Sequence, residues 1–442
     1  MKIFIFILGL IISILFLFSR NQSRKLTMFL GFVFVLQVGW VFYHYTGIFI
    51  YDFPILTLIF FGIFSNKKFK WYFRGLSLPA LLFFFWSLLT ASVAPIPGWT
   101  IAEASKILRG YLAFLAIANH IQTKKDVDYF LYSLFAGILF ESFIGIWQWR
   151  VGPVGLWFLN ENYNAWRATG TYYVPHFLAN YLIMFLPIVL RLFIFYRAPS
   201  QRLTFFYGIV SAFGVLALFA TYARGAWLGF AVGMGIMFLF GLYKMKFMPR
   251  IKWAFGIASI GGIIFFAQFL SAILAQFGDD RQHSIDARYK QYDMAKRIIA
   301  GLPLMGTGLG NYSKVSPRFL TSYEWATNDT GARTYMVHNS YLYYTAETGL
   351  VGGFFMLLGI VFLFRMGFRG LKSRSAYFAN LTIGILCGDI AIAIAFLWGP
   401  DIHLEQFQVQ FGMMTGLLVA IQRVESNYMK QVKQRALQKA GS

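Results

Sequence analysis

The chain has 442 residues, 58% of them hydrophobic and 13% charged, and its net charge at pH 7 is +22. Soluble domains carry roughly 25% charged residues, so the composition excludes an ordinary soluble protein. Apolar runs of about 17–25 residues recur along the chain, and each is long enough to cross a bilayer core of about 30 Å. Because the basic residues lie in short segments between these runs, they indicate membrane orientation rather than nucleic-acid binding.

We therefore predict an all-α, polytopic helical membrane protein with about 12–13 transmembrane helices in a lipid bilayer. Residues 2–18 lack a cleavage pattern and are expected to remain as a first span rather than a signal peptide. The spans that meet around Tyr45 and around Arg224 are predicted to form tight hairpins. The predicted spans are 2–18, 27–43, 47–65, 78–94, 103–119, 128–148, 175–195, 203–222, 225–243, 253–275, 341–364, 378–398 and 405–422.

The segments that join the spans alternate in charge. Those near 20–25, 67–74, 124–125, 191–202, 244–252 and 365–374, and the tail from 423, are basic, whereas 44–51, 95–102 and 399–404 contain no Lys or Arg. Basic loops stay in the cytoplasm, so the chain is predicted to be an inner-membrane protein with a cytoplasmic C-terminus. We expect residues 1–442 to form a single transmembrane domain.

Two external segments are longer than the others, at 149–174 and 276–340. The second is predicted to form a periplasmic loop subdomain, because a loop of this length usually has a function. Within it, Ser284 to Ala300 predicts a helix that stops at Gly301, with Pro303 beyond. Its predicted apolar anchors are Ile285, Tyr289, Tyr292, Ile298 and Ile299.

Two arginines stand on the predicted external side. Arg224 lies in TYARGAWLGF between two apolar runs, and Arg288 lies in DARYKQYDMAKRIIAG on the loop helix. An Arg at a helix end often only reaches to the membrane interface, and charges on an exposed helix face are usually solvated. The alternative is an anion site, since two guanidinium groups can hold a phosphate or diphosphate bidentately.

His338 lies in VHNSYLYYTAETGLVGG, where the long loop meets the next span. A histidine with an ordinary pKa of about 6.5 can take a proton near neutral pH, although it can equally be an interfacial residue bonded to Asn339 or to a carbonyl group. The remaining histidines are scattered, and Cys387 is the one cysteine. We therefore predict no metal site and no cofactor.

Three further features leave alternatives open. The motif GLPLMGTGLGNY (301–312) follows a helix rather than a strand, so it is not a dinucleotide fingerprint; its glycines permit a tight turn or close approach to a ligand. Lys106 and Arg109 share a helix face and form either a second anion-binding patch or an ion pair with Glu103. The acids in or near the spans are interpreted as partners of these cations: Glu141, Glu347 and Asp389.

Arg224, Arg288 and His338 together suggest glycosyl transfer from a lipid-linked sugar, because the arginines suit a diphosphate and a neutral histidine can deprotonate a hydroxyl. No external pair of carboxylates for a hydrolase can be found. The three motifs, in this order, resemble the O-antigen ligase and polymerase superfamily of bacterial membrane glycosyltransferases. A further segment, RATGTYYVPHFLANYLIM (167–184), is similar to the family but has Val-Pro-His in place of an Asn-Pro-Asn-like run.

The resemblance implies a metal-independent, inverting transfer of a glycan from undecaprenyl diphosphate at the periplasmic face. In a ligase the acceptor is a sugar hydroxyl of lipid A–core. Arg224 and Arg288 would bind the diphosphate and His338 would activate the hydroxyl. The predicted substrate-binding residues also include Lys106, Arg109, Asn339 and Tyr312.

A ligase is favoured because one long external loop dominates the sequence. An O-antigen or exopolysaccharide polymerase, or a protein-linked oligosaccharide transferase of the same superfamily, is the main alternative. A small-anion transporter is a further alternative, to which intramembrane Glu141 and Asp389 would contribute. A transporter needs polar groups at mid-membrane depth, whereas an enzyme needs them gathered at one face.

Overall fold

The computed structural model describes residues 2–34, 36, 39–43, 46–65, 69–73, 75, 77–152, 167–172, 174–244, 280–326 and 336–440. The predicted span at 253–275 and most of the segment 149–174 lie outside them. The helices are α1 (Lys2–Leu17), α2 (Gln22–Val33), α3 (Asp52–Phe64), α4 (Ser77–Leu89), α5 (Pro97–His120), α6 (Lys124–Val151), α7 (Pro175–Phe195), α8 (Gln201–Ala220), α9 (Arg224–Lys244), α10 (Asp280–Gly301), α11 (Tyr312–Val315), α12 (Ser322–Ala326), α13 (Ser340–Gly370), α14 (Ala376–Ala395) and α15 (Glu405–Ala440).

The predicted fold class, an all-α polytopic membrane protein, is confirmed. In the described ranges, six helices are long and apolar enough to cross a membrane: α6, α7, α8, α9, α13 and α14. Shorter apolar helices cover Phe6–Leu17, Asp52–Phe64 and Ser77–Ser92. Lipid tails and apolar side chains are chemically alike, so the outer faces of these helices can stay apolar.

The predicted span at 27–43 is wrong. Helix α2 ends at Val33, and strands β1 (Gly39–Tyr43) and β2 (Thr46–Phe49) then form an antiparallel hairpin. The first strand reads Gly-Trp-Val-Phe-Tyr, and aromatic and β-branched residues favour strands. Hydropathy cannot distinguish this strand from a buried helix. The tight turn predicted around Arg224 is confirmed, because α8 ends at Ala220 and α9 begins at Arg224.

Helix α14 is central to the bundle and packs between α7 and α9. Glycines permit this closeness: a side chain at Gly388 would meet the Met184 carbonyl of α7, and one at Gly229 would meet the Ala391 carbonyl. Small residues at such crossings let membrane helices approach closely. The position of the C-terminal end of α14 is therefore fixed by both neighbours.

Several of the basic loops meet at one end of the bundle, which we call the basic end. Arg24 pairs with Asp126 at 2.8 Å, and Arg423 donates to the Ile121 carbonyl at 2.6 Å. The Glu425 carboxylate accepts from the Ser373 hydroxyl that follows α13. Residues 280–326 and the residues after α14 lie at the opposite end, the site end.

The predicted loop helix is confirmed as α10, which ends at Gly301. Ile298 is buried as predicted, but Tyr289 is 63% exposed and is not an anchor. The buried positions also include Met294 and Ala295, so the apolar face is rotated from the predicted one. Arg297 fastens the helix to α12 through two bonds to Glu324, at 2.8 and 2.9 Å.

The glycine-rich turn packs against protein on two sides. Gly306, Gly308 and Gly310 have φ of 65°, 82° and 78°, which favour glycine. The turn is held to the start of α5 by the Thr100 hydroxyl, which donates to the Leu309 carbonyl at 2.9 Å. On the other side, Thr307 N–H donates to the Ala346 carbonyl of α13 at 3.0 Å. The glycines therefore position the segment that follows α10 on the bundle.

Candidate functional site

The residues that follow α14 join three elements at the site end. This hub segment, Phe396–Asp401, accepts a hydrogen bond at the Phe396 carbonyl from Ser340 N–H at 2.9 Å. The Gly399 carbonyl accepts from the Ser340 hydroxyl at 2.7 Å. From α10, the Tyr292 hydroxyl lies 3.4 Å from the Leu397 carbonyl and 3.1 Å from the His338 carbonyl. The hub segment therefore fixes His338 relative to the loop helix.

The His338 ring is oriented by Gln291 of α10. The Gln291 side-chain oxygen accepts from the backbone N–H of His338 at 3.1 Å and lies 2.9 Å from ring Nδ1. A backbone N–H can only donate, so the amide presents its oxygen, and Nδ1 must carry the hydrogen in the neutral ring. The lone pair of the neutral ring is therefore on Nε2, the nitrogen that can accept a proton.

Arg288 lies one helical turn before the residues that contact His338. Gln291 and Tyr292 are three and four positions further along α10, so all three share one face. The Arg288 side chain is half-buried. Burial lowers the pKa of His338 from its ordinary value, and the positive charge of Arg288 lowers it further, while Asp401 opposes the shift. The ring is thus kept neutral at physiological pH, as a general base requires.

Asp401, His176 and Asn180 form a polar group beside His338 that sequence reasoning missed. The buried Asp401 carboxylate accepts from the Asn180 amide at 2.6 Å and lies 3.3 Å from His176 Nε2. His176 also lowers the pKa of His338. The one signal in the sequence was His176 itself, which occupies the Val-Pro-His departure from the family pattern.

Arg224 lies at the start of α9, next to a residue that approaches the hub segment. It is exposed at the first residue of that helix, and a Cβ built on the next residue, Gly225, would lie 3.3 Å from Cβ of Trp398 in the hub segment. The preceding turn is clamped by Arg167, whose guanidinium donates twice to the Thr221 carbonyl, at 2.7 and 2.9 Å. The start of α9, the Gln291–Tyr292 turn of α10 and the residues next to His338 therefore all adjoin the hub segment.

Lys106 and Arg109 are engaged elsewhere. Lys106 is buried and pairs with Glu103 at 2.6 Å, which is the ion-pair alternative raised from the sequence. Arg109 contacts two carboxylates, Glu405 at 2.6 Å and Asp52 at 3.1 Å. These ion pairs neutralise the charges of Lys106 and Arg109 within the fold. A substrate-binding role for either residue stays a prediction.

The other two predicted substrate-binding residues have structural partners. The Asn339 side chain caps α13 by accepting from the N–H groups of Tyr341 and Leu342, each at 3.0 Å. Tyr312 is 1% exposed and packs against Tyr343, with ring centroids 5.5 Å apart. Contact between either side chain and a substrate stays a prediction.

The interpretation of the intramembrane acids as partners of cations is wrong for the described residues. Glu141 accepts from the Thr171 backbone N–H and hydroxyl, at 2.8 and 2.6 Å. Glu347 accepts from Tyr312 N–H at 3.2 Å. Asp389 Oδ1 has no hydrogen-bond partner in the described part of the chain. Backbone N–H groups and a hydroxyl thus satisfy Glu141 and Glu347, which the sequence had assigned to cations.

The arrangement can bind an anion and remove a proton at one place. Arg288 lies close enough to His338 to lower its pKa, Arg224 begins the helix that adjoins the hub segment, and Nε2 is the proton-accepting nitrogen of the neutral ring. Arginine holds phosphate oxygens through planar forks, and a histidine base can activate a hydroxyl within hydrogen-bond reach. No group of three His, Cys, Asp or Glu side chains in the described ranges is placed to hold a metal ion.

Comparison with known proteins gives one family match. A family model described as O-antigen ligase matches residues 209–357, about a third of the chain. This match supports membership of the O-antigen ligase and polymerase superfamily, whose members are glycosyltransferase-like enzymes. The matched region contains Arg224, Arg288 and His338 but not the segment 167–184, whose likeness stays a prediction. No curated protein matches the chain.

Proposed function

We propose that this protein is an O-antigen ligase that transfers a glycan from undecaprenyl diphosphate to a sugar hydroxyl of lipid A–core at the periplasmic face of the bacterial inner membrane. The observation that supports the proposal is that the helix beginning at Arg224, the turn of α10 that follows Arg288, and the oriented His338 all adjoin the hub segment. The site end lies opposite the basic end, which the positive-inside rule assigns to the cytoplasm. The gathering of these groups at one face favours an enzyme over a transporter.

In the proposed reaction, the acceptor hydroxyl gives its proton to Nε2 of His338 as its oxygen attacks the anomeric carbon. The bond from that carbon to the diphosphate oxygen breaks, and the configuration is inverted in this single displacement. Arg224 and Arg288 stabilise the charge that develops on the departing diphosphate, which is the contribution expected of preorganised cations. Gln291 holds the ring in the required tautomer.

Deletion of the gene tests the proposal in cells. A ligase deletion leaves lipopolysaccharide without its polymeric cap while the polymerised glycan accumulates on its lipid carrier. Caps of a single repeat unit would instead identify a polymerase, the alternative within the same superfamily. With purified protein, lipid-linked donor and lipid A–core, transfer to the core sugar supports the ligase, and elongation of the donor alone contradicts it.

A further inference from the structure

Helix α13 is interrupted at Gly349, whose φ of 70° and ψ of −179° are not helical. In an uninterrupted helix, the Leu350 N–H would donate to the Ala346 carbonyl, four residues earlier. Here the Leu350 N–H donates to the Pro303 carbonyl at 2.8 Å. The Ala346 carbonyl accepts from Thr307 N–H at 3.0 Å. The glycine-rich turn that follows α10 is therefore inserted into the break in α13.

The break is closely packed on both sides. From α4, the Trp86 indole N–H donates to the Thr348 carbonyl at 2.8 Å. From the turn, the Leu304 carbonyl oxygen lies only 1.9 Å from a Cβ built on Gly349. Polar backbone groups that a helix break would leave open are thus bonded to the turn and to α4, and a side chain at Gly349 would displace the turn.

Helix α10 is attached to α13 and the residues before it at two points with matching spacing. Near the middle of α10, Gln291 contacts His338, just before α13 begins. Beyond the end of α10, Pro303 contacts Leu350. Twelve residues separate the two positions on each side, a distance of roughly 18 Å along a helix. The inserted turn therefore sets how far along α13 the loop helix lies.

We propose that Gly349 is a positioning residue for the proton-accepting histidine: its backbone conformation allows the turn to insert, and the inserted turn fixes the register at which α10 meets His338. The role of that histidine as a base rests on the proposed function, but the surroundings of its ring can be measured without glycan transfer. Apolar packing is the competing explanation, because Met294 and Ile298 of α10 pack in one cluster with Ala346.

The pH at which His338 loses its proton reports on this register. Burial and the charge of Arg288 lower the pKa of His338, and Asp401 raises it. His176 also lowers it, and the Gln291 amide that faces the ring is neutral. Displacement of α10 would remove Arg288 and part of the burial, so the pKa of His338 should rise toward its ordinary value of about 6.5. A loss of stability without displacement of α10 would leave this pKa unchanged.

Two substitutions act on the break from its two sides. Gly349→Ala should displace the turn, because alanine disfavours a φ of 70° and its Cβ would overlap the turn backbone. Alanine also favours the helical bond from Leu350 to Ala346, so α13 can still form. Gly306→Ala is the second variant, because its φ is 65° and a Cβ there would lie 2.4 Å from the Ala346 carbonyl oxygen.

The matched control is Gly359→Ala on the same helix, since a Cβ there would meet Pro79 at an ordinary contact distance of 3.7 Å. The measurement is the pH dependence of His338 modification by diethyl pyrocarbonate in the purified full-length protein, quantified by mass spectrometry. The reagent attacks the neutral ring, so the midpoint follows the pKa of His338. We expect the midpoint to move to higher pH in Gly349→Ala and Gly306→Ala and to stay in place in the control.

Three results would overturn the proposal. One is an unchanged midpoint in folded Gly349→Ala or Gly306→Ala, as expected if apolar packing alone sets the register. Another is an equal shift in Gly359→Ala, which would indicate general loosening of α13. The third is failure of both break variants to fold, which would assign Gly349 to folding. If the expected shifts occur but the wild type transfers no glycan, the ligase reaction is rejected and the role of Gly349 stands.

Discussion

Two clusters of cationic side chains lie toward the same end of this protein, and they differ in what surrounds them. In the first, Arg109 contacts Asp52 and Glu405, and Lys106 contacts Glu103. In the second, Arg224 is exposed and Arg288 half-buried beside a histidine held by a neutral amide. The first cluster has its counter-charges within the fold, whereas no carboxylate among the described residues pairs with Arg224 or Arg288. The two clusters carry the same kind of charge, and they differ in the side chains with which those charges pair.

The largest expected effect is on the base of the second cluster. His338→Ala should lower the transfer rate about 10²- to 10⁴-fold, the usual contribution of a general base, while donor binding is kept. Transfer rate and melting temperature are to be measured on the same detergent-solubilised preparation. A variant with a lower melting temperature and most of its rate per folded molecule would remove His338 from the mechanism.

Arg109→Leu is expected to lower the stability of the protein rather than its transfer rate. Removing one partner of a buried ion-pair network typically costs about 3–5 kcal/mol, because the remaining carboxylates stay buried without a counter-charge. The folded fraction should retain its transfer rate. The fraction resisting thermal aggregation and the rate per folded molecule measure the two effects. A lost rate with unchanged stability would return Arg109 to the substrate-binding residues.

The pH dependence of the transfer rate tests whether Arg288 lowers the pKa of His338. Because burial and Arg288 lower the pKa of His338, the base stays neutral below its ordinary pKa, and activity should fall only as pH drops through the lowered value. Asp401 and His176 also face the ring and act in opposite directions. Arg288→Gln removes one lowering charge, so its acidic limb should move to higher pH.

The control for this prediction is Arg288→Lys, which keeps the positive charge and should leave the acidic limb of the pH–rate profile in place. The position of the limb is read from rates relative to each variant's own maximum, so a slower variant is still informative. An acidic limb that is the same in wild type and Arg288→Gln would contradict the electrostatic coupling.

The smallest expected effect is at Asn339. Asn339→Ser keeps an oxygen that can cap α13, and serine is nearly as good an N-cap as asparagine, so stability should change by less than about 0.5 kcal/mol. If capping is the whole role of this side chain, the transfer rate should stay within about twofold. A large loss of rate at normal stability would instead support the predicted contact with substrate.

Much of the helical fold could be predicted because each span is a long apolar run with its own boundaries. The transmembrane span predicted at 27–43 was wrong because a strand rich in aromatic residues is as apolar as a membrane helix. Tyr289 was misplaced because helix α10 has apolar residues on more than one face, and tertiary packing selected Met294 and Ala295 instead.

The candidate site was only partly predictable. Arg224, Arg288 and His338 stood out because charged groups beside apolar runs are unusual. Asp401 and Asn180 could not be identified, because their contact joins residues 221 positions apart in sequence. Nor could periodicity show that Arg109 meets Glu405, a contact that depends on how α5 packs against α15.

The most direct test of the account compares two arginines on one helix. Arg288 lies on the face of α10 that contacts His338, whereas Arg297 is bound bidentately to Glu324 of α12. In reconstituted transfer with purified donor and acceptor, Arg288→Lys should lose about 2–4 kcal/mol of transition-state stabilisation, roughly 30- to 1000-fold in rate. Arg297→Lys should stay within about twofold of wild type. Equal rates for the two variants would contradict the assignment of Arg288 to the donor diphosphate.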